Sequence, residues 1–210
     1  MKALLVLRDG TVYSGAGFGA LKETVGELVF TTSMTGYQES LTDPSYAGQI
    51  LTFTYPLIGN YGTSAEDFES RMVFAEACVV RELCDSPVHA KSVKSLDSFL
   101  KEYGKPGIAG IDTRSIVRKI RSEGVTNAVL LTYDSGGSVS DEPNVQQLIE
   151  KAGKLDYGSI DFVKKVSTKK PEKYNPKPET HRAQQCESYR PRRAGFRQRR
   201  INRAISGRRR

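Results

Sequence analysis

The 210-residue chain has no tryptophan, only two histidines and three cysteines. Cys78, Cys84 and Cys186 are odd in number and lack metal-ligand spacing, so neither a disulfide framework nor a zinc site is indicated, and a reducing cytoplasm fits. Long apolar runs are also missing. The first, ALLVL at 3–7, is broken at once by Arg8 and Asp9. That is too short for a signal-peptide core or a membrane span, so the expectation is a soluble, non-exported, cytoplasmic protein with no membrane partner. The usual catalytic constellations are absent as well. Cys78 and Cys84 lie in and just after a strand-like run without a Gly-flanked nucleophile turn, and His89 and His181 form no recognisable pair with either. GAGFG at 15–19 lacks the Lys-Ser/Thr of a P-loop and reads as turn chemistry at a strand end.

What is present is an ordinary globular composition, 38% hydrophobic and 27% charged, under a net charge of +8. The positive charge is terminal. Residues 177–210 hold eleven Arg and one Lys against Glu179 and Glu187, whereas 1–176 hold 20 basic and 22 acidic residues. The body, 1–168, is therefore a slightly acidic domain. Residues 169–178, KKPEKYNPKP, have the composition of a Pro/Lys linker. The Arg-rich segment at 179–210 shows no helical or strand period and too few large apolar residues to offset ordering, so it reads as a disordered basic tail.

In the body, Asp9-Gly10 between two strand-like runs predicts a β-hairpin with positive φ at both central turn positions. Strands are expected at 27–32 and 49–54, separated by a polar bend with a turn at Asp43-Pro44-Ser45, and a further strand at 72–83. Leu96, Phe99 and Leu100 behind Ser95 predict a short helix closed by Gly104. Asp112 caps a second helix at 113–123, with Ile116, Val117 and Ile120 on one face and Arg118, Lys119 and Arg121 elsewhere. A strand at 127–133 and an amphipathic helix at 144–152, with Val145, Leu148 and Ile149 inward, complete the pattern. Intermixed strands and helices without a fixed repeat give an α/β body around a mixed sheet.

The informative stretch runs from 26 to 62. Its bend is rich in hydroxyl and carboxamide groups, which can hold a polar ligand or can satisfy one another and the loop backbone. FTTSMTGYQESLTDPSYAGQI at 30–50 and YPLIGNYG at 55–62 closely resemble the signature of the small, glutamine-hydrolysing subunit of carbamoyl-phosphate synthase. The resemblance begins with ALLVLRDGTVYSG at 3–15 and continues through GIAGIDTRSIVRKIRSEG at 107–124.

The resemblance implies a β-rich, three-layer β/β/α domain that docks on a large subunit. Glutamine is hydrolysed by the small subunit and its ammonia supplied to the large one, which makes carbamoyl phosphate for pyrimidine and arginine biosynthesis. ATP and Mg would belong to the large subunit, leaving no cofactor in this chain. The resemblance assigns a glutamine-contacting role to one residue, Ser45, in the Asp-Pro-Ser-Tyr turn. An ST-turn closing the loop is the alternative for Ser45, and Asp112 reads as a helix cap. The chemistry of that family belongs to a following class I amidotransferase domain with a Gly-x-Cys-Leu-Gly-His-Gln turn. No such motif occurs in this sequence, so the chain alone is expected not to hydrolyse glutamine. The Arg-rich residues after the linker read either as out-of-frame translation or as a real tail. In the second case the alternative function is a non-catalytic domain whose tail binds nucleic acid or an acidic surface.

Overall fold

Alternation along a strand sends successive side chains to opposite faces. In β1 (Lys2–Leu7) it divides one apolar run between two cores, Ala3, Leu5 and Leu7 on one side and Leu4 and Val6 on the other. A strand buried on both faces belongs in a wall covered on both sides. The computed structural model, which describes residues 1–134 and 143–168, shows that wall. β1, β2 (Val12–Gly19), β3 (Glu23–Thr31), β4 (Gln49–Phe53), β6 (Ala77–Val79), β8 (Pro106–Ala109) and β9 (Thr126–Tyr133) form a closed barrel in the order β1-β2-β8-β6-β4-β3-β9. Closure is made by β9 lying antiparallel on β1, with Leu5 opposite Leu130. β3, β4, β6 and β8 are parallel neighbours, while β2 and β9 run against theirs. β5 (Leu57–Ile58) and β7 (Glu82–Leu83) form a separate parallel pair. The expected mixed, β-rich α/β content is present, arranged as a barrel wall with helices against it.

The barrel interior is filled by side chains, including Leu5, Leu28, Ile50, Val79, Ile108 and Leu130. Helix α3 (Thr113–Glu123) connects the end of β8 to the start of β9 and adds Ile116 and Ile120 to the same core. The helix therefore closes one mouth of the barrel. Its Lys119 reaches Asp9 in the β1–β2 turn at 2.6 Å, tying the far end of the helix to the rim. Burial opposes ionisation of Asp9, but its bonds to Lys119 and Thr11 outweigh that and hold the carboxyl below the usual aspartate range. Outside the wall, α1 (Tyr37–Thr42) and α2 (Leu96–Glu102) contribute Tyr37, Leu41, Phe99 and Leu100 to a second core with Leu51, Phe53 and Cys78. α4 (Val145–Lys154) covers Leu4, Val6 and Val129 with Leu148 and Ala152. A short helix, α5 (Phe162–Val166), ends the described chain.

The caps expected at Ser95 and Asp112 are present, as is the helix following Asn144. Three expectations need correction. In the hairpin turn only Gly10 has positive φ, +89°. Gly10 N–H donates to Leu7 O and Leu7 N–H to Thr11 O, a three-residue connection that leaves Asp9 in ordinary backbone geometry. The GAGFG segment marks a strand end only at Gly19, the last residue of β2, with φ +74°; the rest lies within the strand, where a Cβ on Gly15 would strike the Ala109 carbonyl and the Ile111 and Ile108 side chains, so that glycine permits close approach of the wall to the helix entry. The strand expected at 72–83 is reduced to β6 and β7. The Phe74 and Ala75 N–H groups bond the Leu41 carbonyl at the end of α1, so they are unavailable to a sheet. The linker at 169–178 and the tail at 179–210 lie outside the described residues.

Two core substitutions should move stability in opposite directions. Ile116→Ala opens a cavity in the mouth and should cost about 2–5 kcal/mol in urea unfolding. Thr52 is fully buried and its hydroxyl has no hydrogen-bond partner among the described residues, so Thr52→Val should raise the unfolding free energy, by up to about 1 kcal/mol. The Asp9 contribution is fully present above the ordinary aspartate pKa and is lost as pH falls through the lowered folded value. Asp9→Asn should therefore cost less than about 1 kcal/mol at neutral pH and nothing in strong acid, as read by unfolding at both pH values.

Candidate functional site

Most polar groups of the bend between β3 and β4 are used by the fold itself. Gly36 opens α1 without a side-chain cap, and the Tyr61 hydroxyl takes that place, accepting from Gly36 N–H at 2.7 Å and Tyr37 N–H at 3.2 Å. Tyr37 stacks on Tyr61 with centroids 4.2 Å apart and donates its hydroxyl to the Gly62 carbonyl. Burial pushes both phenols up, so both remain protonated. The Gln38 carboxamide donates to Ser64 O at 2.6 Å and accepts from Ser64 N–H at 2.7 Å. Thr42 donates its hydroxyl to Gln38 O and accepts from Glu69 N–H. What reads in sequence as a polar bend is a short helix bolted to the loop at 61–69.

Ser45, like Thr32, Thr35 and Tyr46, has a hydroxyl that the fold does not use. It lies in a 3₁₀ turn, Pro44–Tyr46, capped by Asp43, whose carboxylate accepts the Ser45 N–H at 2.8 Å. The loop-closing role open to Ser45 thus falls to Asp43. The Ser45 side chain is exposed, and its hydroxyl has no hydrogen-bond partner among the described residues. The turn behind it is held from outside: Tyr157 donates its hydroxyl to Ala47 O at 3.0 Å and stacks on Phe162 at 4.5 Å. Burial, then the nearby Glu27 carboxylate, push the Tyr157 phenol up and keep that donor protonated. Gly48, with φ +77°, is covered so closely by these two rings that a Cβ would overlap Phe162. The segment at 157–162 thereby fixes a turn that presents a free hydroxyl.

The GIDTR segment is elsewhere. Ser45 precedes the first residue of β4, whereas Asp112 follows β8, a strand of the same direction, so the two lie at opposite rims of the barrel. Asp112 accepts from Ser115 N–H at 3.0 Å as the cap of α3, and Thr113 is buried. Around the outer face of that helix is an open groove of about 570 Å³, lined by Thr54, Pro56, Arg81, Thr113, Arg114, Val117, Arg118 and Arg121. The sequence shows the helical spacing of these arginines but not their convergence with Arg81, which the pairing of β6 with β8 brings alongside. Cys78 is fully buried and its thiol is pushed up by burial, the state of a packing residue. His89 is exposed, its Nδ1 accepting from Lys91 N–H at 3.2 Å. Among the described residues no group of three or more His, Cys, Asp or Glu could hold a metal ion, and no helix is long and apolar enough to cross a membrane.

A mouth-closing helix, a closed barrel and an Asp-Pro-Ser-Tyr turn held by Asp43 and Tyr157 define a β-rich α/β domain with two preformed surface features. Residues 5–130 match the family model for the carbamoyl-phosphate synthase small chain, CPSase domain. The chain belongs to that family. It is 57% identical over 137 residues to the carbamoyl phosphate synthase small chain of Methanosarcina mazei, covering 65% of this chain and 37% of that protein. The small chain of Methanococcus vannielii is 50% identical over 179 residues, 85% of this chain and 46% of its own length. That of Bacillus anthracis is 48% identical over 171 residues, 81% and 44%. The chain thus spans less than half the length of these relatives. Among solved structures, an aminopeptidase from Aneurinibacillus sp. strain AM-1 overlays at TM-score 0.37, with 17% identity, 61% of this chain and 30% of its own, a likeness that carries no argument.

Cap and ligand roles separate by stability. Asp112→Ala should lose about 1 kcal/mol of unfolding free energy with its cap. Ser45→Ala, which breaks no bond within the fold, should stay within about 0.5 kcal/mol of the parent chain in the same urea titration.

Proposed function

We propose that this chain is the N-terminal, docking part of the small-subunit component of a glutamine-dependent carbamoyl-phosphate synthase. In this reading ammonia drawn from glutamine passes to a large subunit that makes carbamoyl phosphate in the cytoplasm for pyrimidine and arginine biosynthesis. The observation that carries it is the family match across 5–130, which spans the barrel from β1 into β9. ATP and Mg are assigned to the large subunit.

Ser45 is the residue through which this domain touches glutamine. Its support is the contrast drawn above: the hydroxyls and amides of Tyr37, Gln38 and Thr42 are bound into the fold, while the Ser45 hydroxyl is free on a turn that Asp43, Gly48 and Tyr157 hold rigid. A hydroxyl fixed in this way can donate to a ligand carboxylate or accept from its ammonium with little ordering cost. The domain positions glutamine and docks; it does not attack. Cleavage of the amide needs a thiolate, a base and an oxyanion hole, and the sequence holds no Gly-x-Cys-Leu-Gly-His-Gln turn to supply them.

Mixed with purified large subunit, the chain should co-elute on gel filtration and release no ammonia from glutamine. Ammonia release by the chain alone would overturn the non-catalytic assignment, and separate elution would overturn docking. In a complete small subunit carrying this domain, Ser45→Ala should raise KM for glutamine about tenfold or more, the worth of a hydrogen bond to a charged group, with kcat changed less. An unchanged KM would remove Ser45 from the glutamine site.

A further inference from the structure

The rim opposite Ser45 carries a group of cations that the fold does not use. On α3, Ile116 and Ile120 face the barrel, while Val117, expected on their face, is only half-buried and lines the groove on the outer side with Arg114, Arg118, Arg121, Arg81 and Pro56. Arg114, Arg118 and Arg121 are spaced i, i+4 and i+7, so three guanidinium groups stack along one face within roughly 10 Å. Arg81 is set beside them because its carbonyl accepts the Gly110 N–H at the entry to α3. None of these four side chains has an ion pair or hydrogen bond among the described residues. Several lysines are paired where these arginines are not: Lys91, Lys94, Lys101, Lys105, Lys119 and Lys151 each hold a carboxylate, while Lys2, Lys22, Lys154, Lys164 and Lys165 do not among the described residues. Lys119, on the same helix, has two, Asp9 and Glu123.

Like charges at i, i+3 and i, i+4 repel, and the positive end of the helix dipole adds to that field near Arg114. An isolated domain gains nothing from this stripe. We infer that the groove between Arg81 and the outer face of α3 is a docking surface for a carboxylate-bearing segment of the large subunit, an inference that rests on the docking reading above. Several features favour protein carboxylates over a phosphate ligand. Most amides at the start of α3 are already taken: Thr113 N–H by Ile111 O, Ser115 N–H by Asp112 and Ile116 N–H by Asp112 O, which leaves the single Arg114 N–H and no cradle of converging amides for a phosphate. Instead, planar guanidinium forks suited to bidentate carboxylates alternate with the apolar surface of Val117 and Pro56. The body that bears the groove is slightly acidic overall, with 20 basic and 22 acidic residues in 1–176, which favours a local acidic contact over a long polyanion.

The test is binding of the full chain to purified large subunit by titration calorimetry, at about 50 and about 500 mM NaCl. The parent chain should bind, and more weakly at high salt. R118E/R121E should weaken Kd by about tenfold or more at low salt and remove most of the salt dependence, with R118Q/R121Q intermediate and both keeping the parent melting temperature. Lys154→Glu, a charge reversal on α4, should bind as the parent does. If the parent chain does not bind the large subunit, the docking reading itself fails and this inference with it. If the parent binds and both arginine variants bind equally well, docking stands and the arginine groove is overturned. Competition by inorganic phosphate at constant ionic strength, with none from a short polyglutamate, would likewise overturn the assignment to protein carboxylates.

Discussion

The antiparallel pairing of β9 on β1 is the contact on which the rest of the domain depends. It joins residues more than 120 positions apart in the chain, opposing Leu5 to Leu130 and Leu7 to Ala128. Without it the sheet has two open edges and β1, apolar on both faces, has one face in water. With it, the alternating residues of six strands converge on one interior. The space left at the mouth is filled by Ile116 and Ile120. Closure also decides which helix face is buried, and therefore which is presented. The inward isoleucines of α3 force its arginines outward, and the surface at this rim follows from the packing beneath it.

A second consequence is the separation of tasks between the two rims. The parallel strands β4, β6 and β8 run in one direction, so the turn before β4 and the helix entry after β8 cannot share a site. One rim presents the Ser45 hydroxyl and the other the arginine groove. Both are built on rigid supports. The Ser45 turn is pinned by Asp43 and by the Tyr157–Phe162 stack, while α3 is anchored by its two isoleucines and by the Lys119–Asp9 pair. In a protein that spans less than half the length of its relatives, such preformed surfaces are what a partner or a neighbouring domain would meet.

The polar bend shows where local reading stops. Tyr37, Gln38 and Thr42 carry the same kinds of groups as Ser45, and composition alone does not divide them. The division comes from Gly62, Ser64 and Glu69, which lie some 25 to 27 positions further along and satisfy those groups through space. For the same reason α1 has no visible N-terminal signal: its cap is the hydroxyl of a distant tyrosine, where helix prediction looks for a neighbouring Ser, Thr, Asp or Asn. The segment at 72–76 was misleading in the opposite sense. Val73, Phe74 and Ala75 are buried as strand residues would be, but the Phe74 and Ala75 N–H groups serve the end of α1, and only Glu76 N–H reaches β4, at Gln49 O.

By itself the sequence determined the elements whose causes are local. The hairpin follows from Asp9-Gly10 between two apolar runs, α2 and α3 from Ser95 and Asp112 followed by apolar residues at helical spacing, and β9 from an uninterrupted NAVLLTY. It also carried the long ordered motifs that place the chain in its family, and the Asp-Pro-Ser turn that singles out Ser45. The tertiary structure decided what depends on long-range pairing. It closed the sheet into a barrel, set Gly15 inside a strand against Ala109, gave loop closure to Asp43 and left the Ser45 hydroxyl free, and brought Arg81 beside the arginines of α3. Spacing along a chain reports neighbours within a few turns of a helix or along a strand; which distant backbone or side chain satisfies a polar group is settled only when the strands have found their partners.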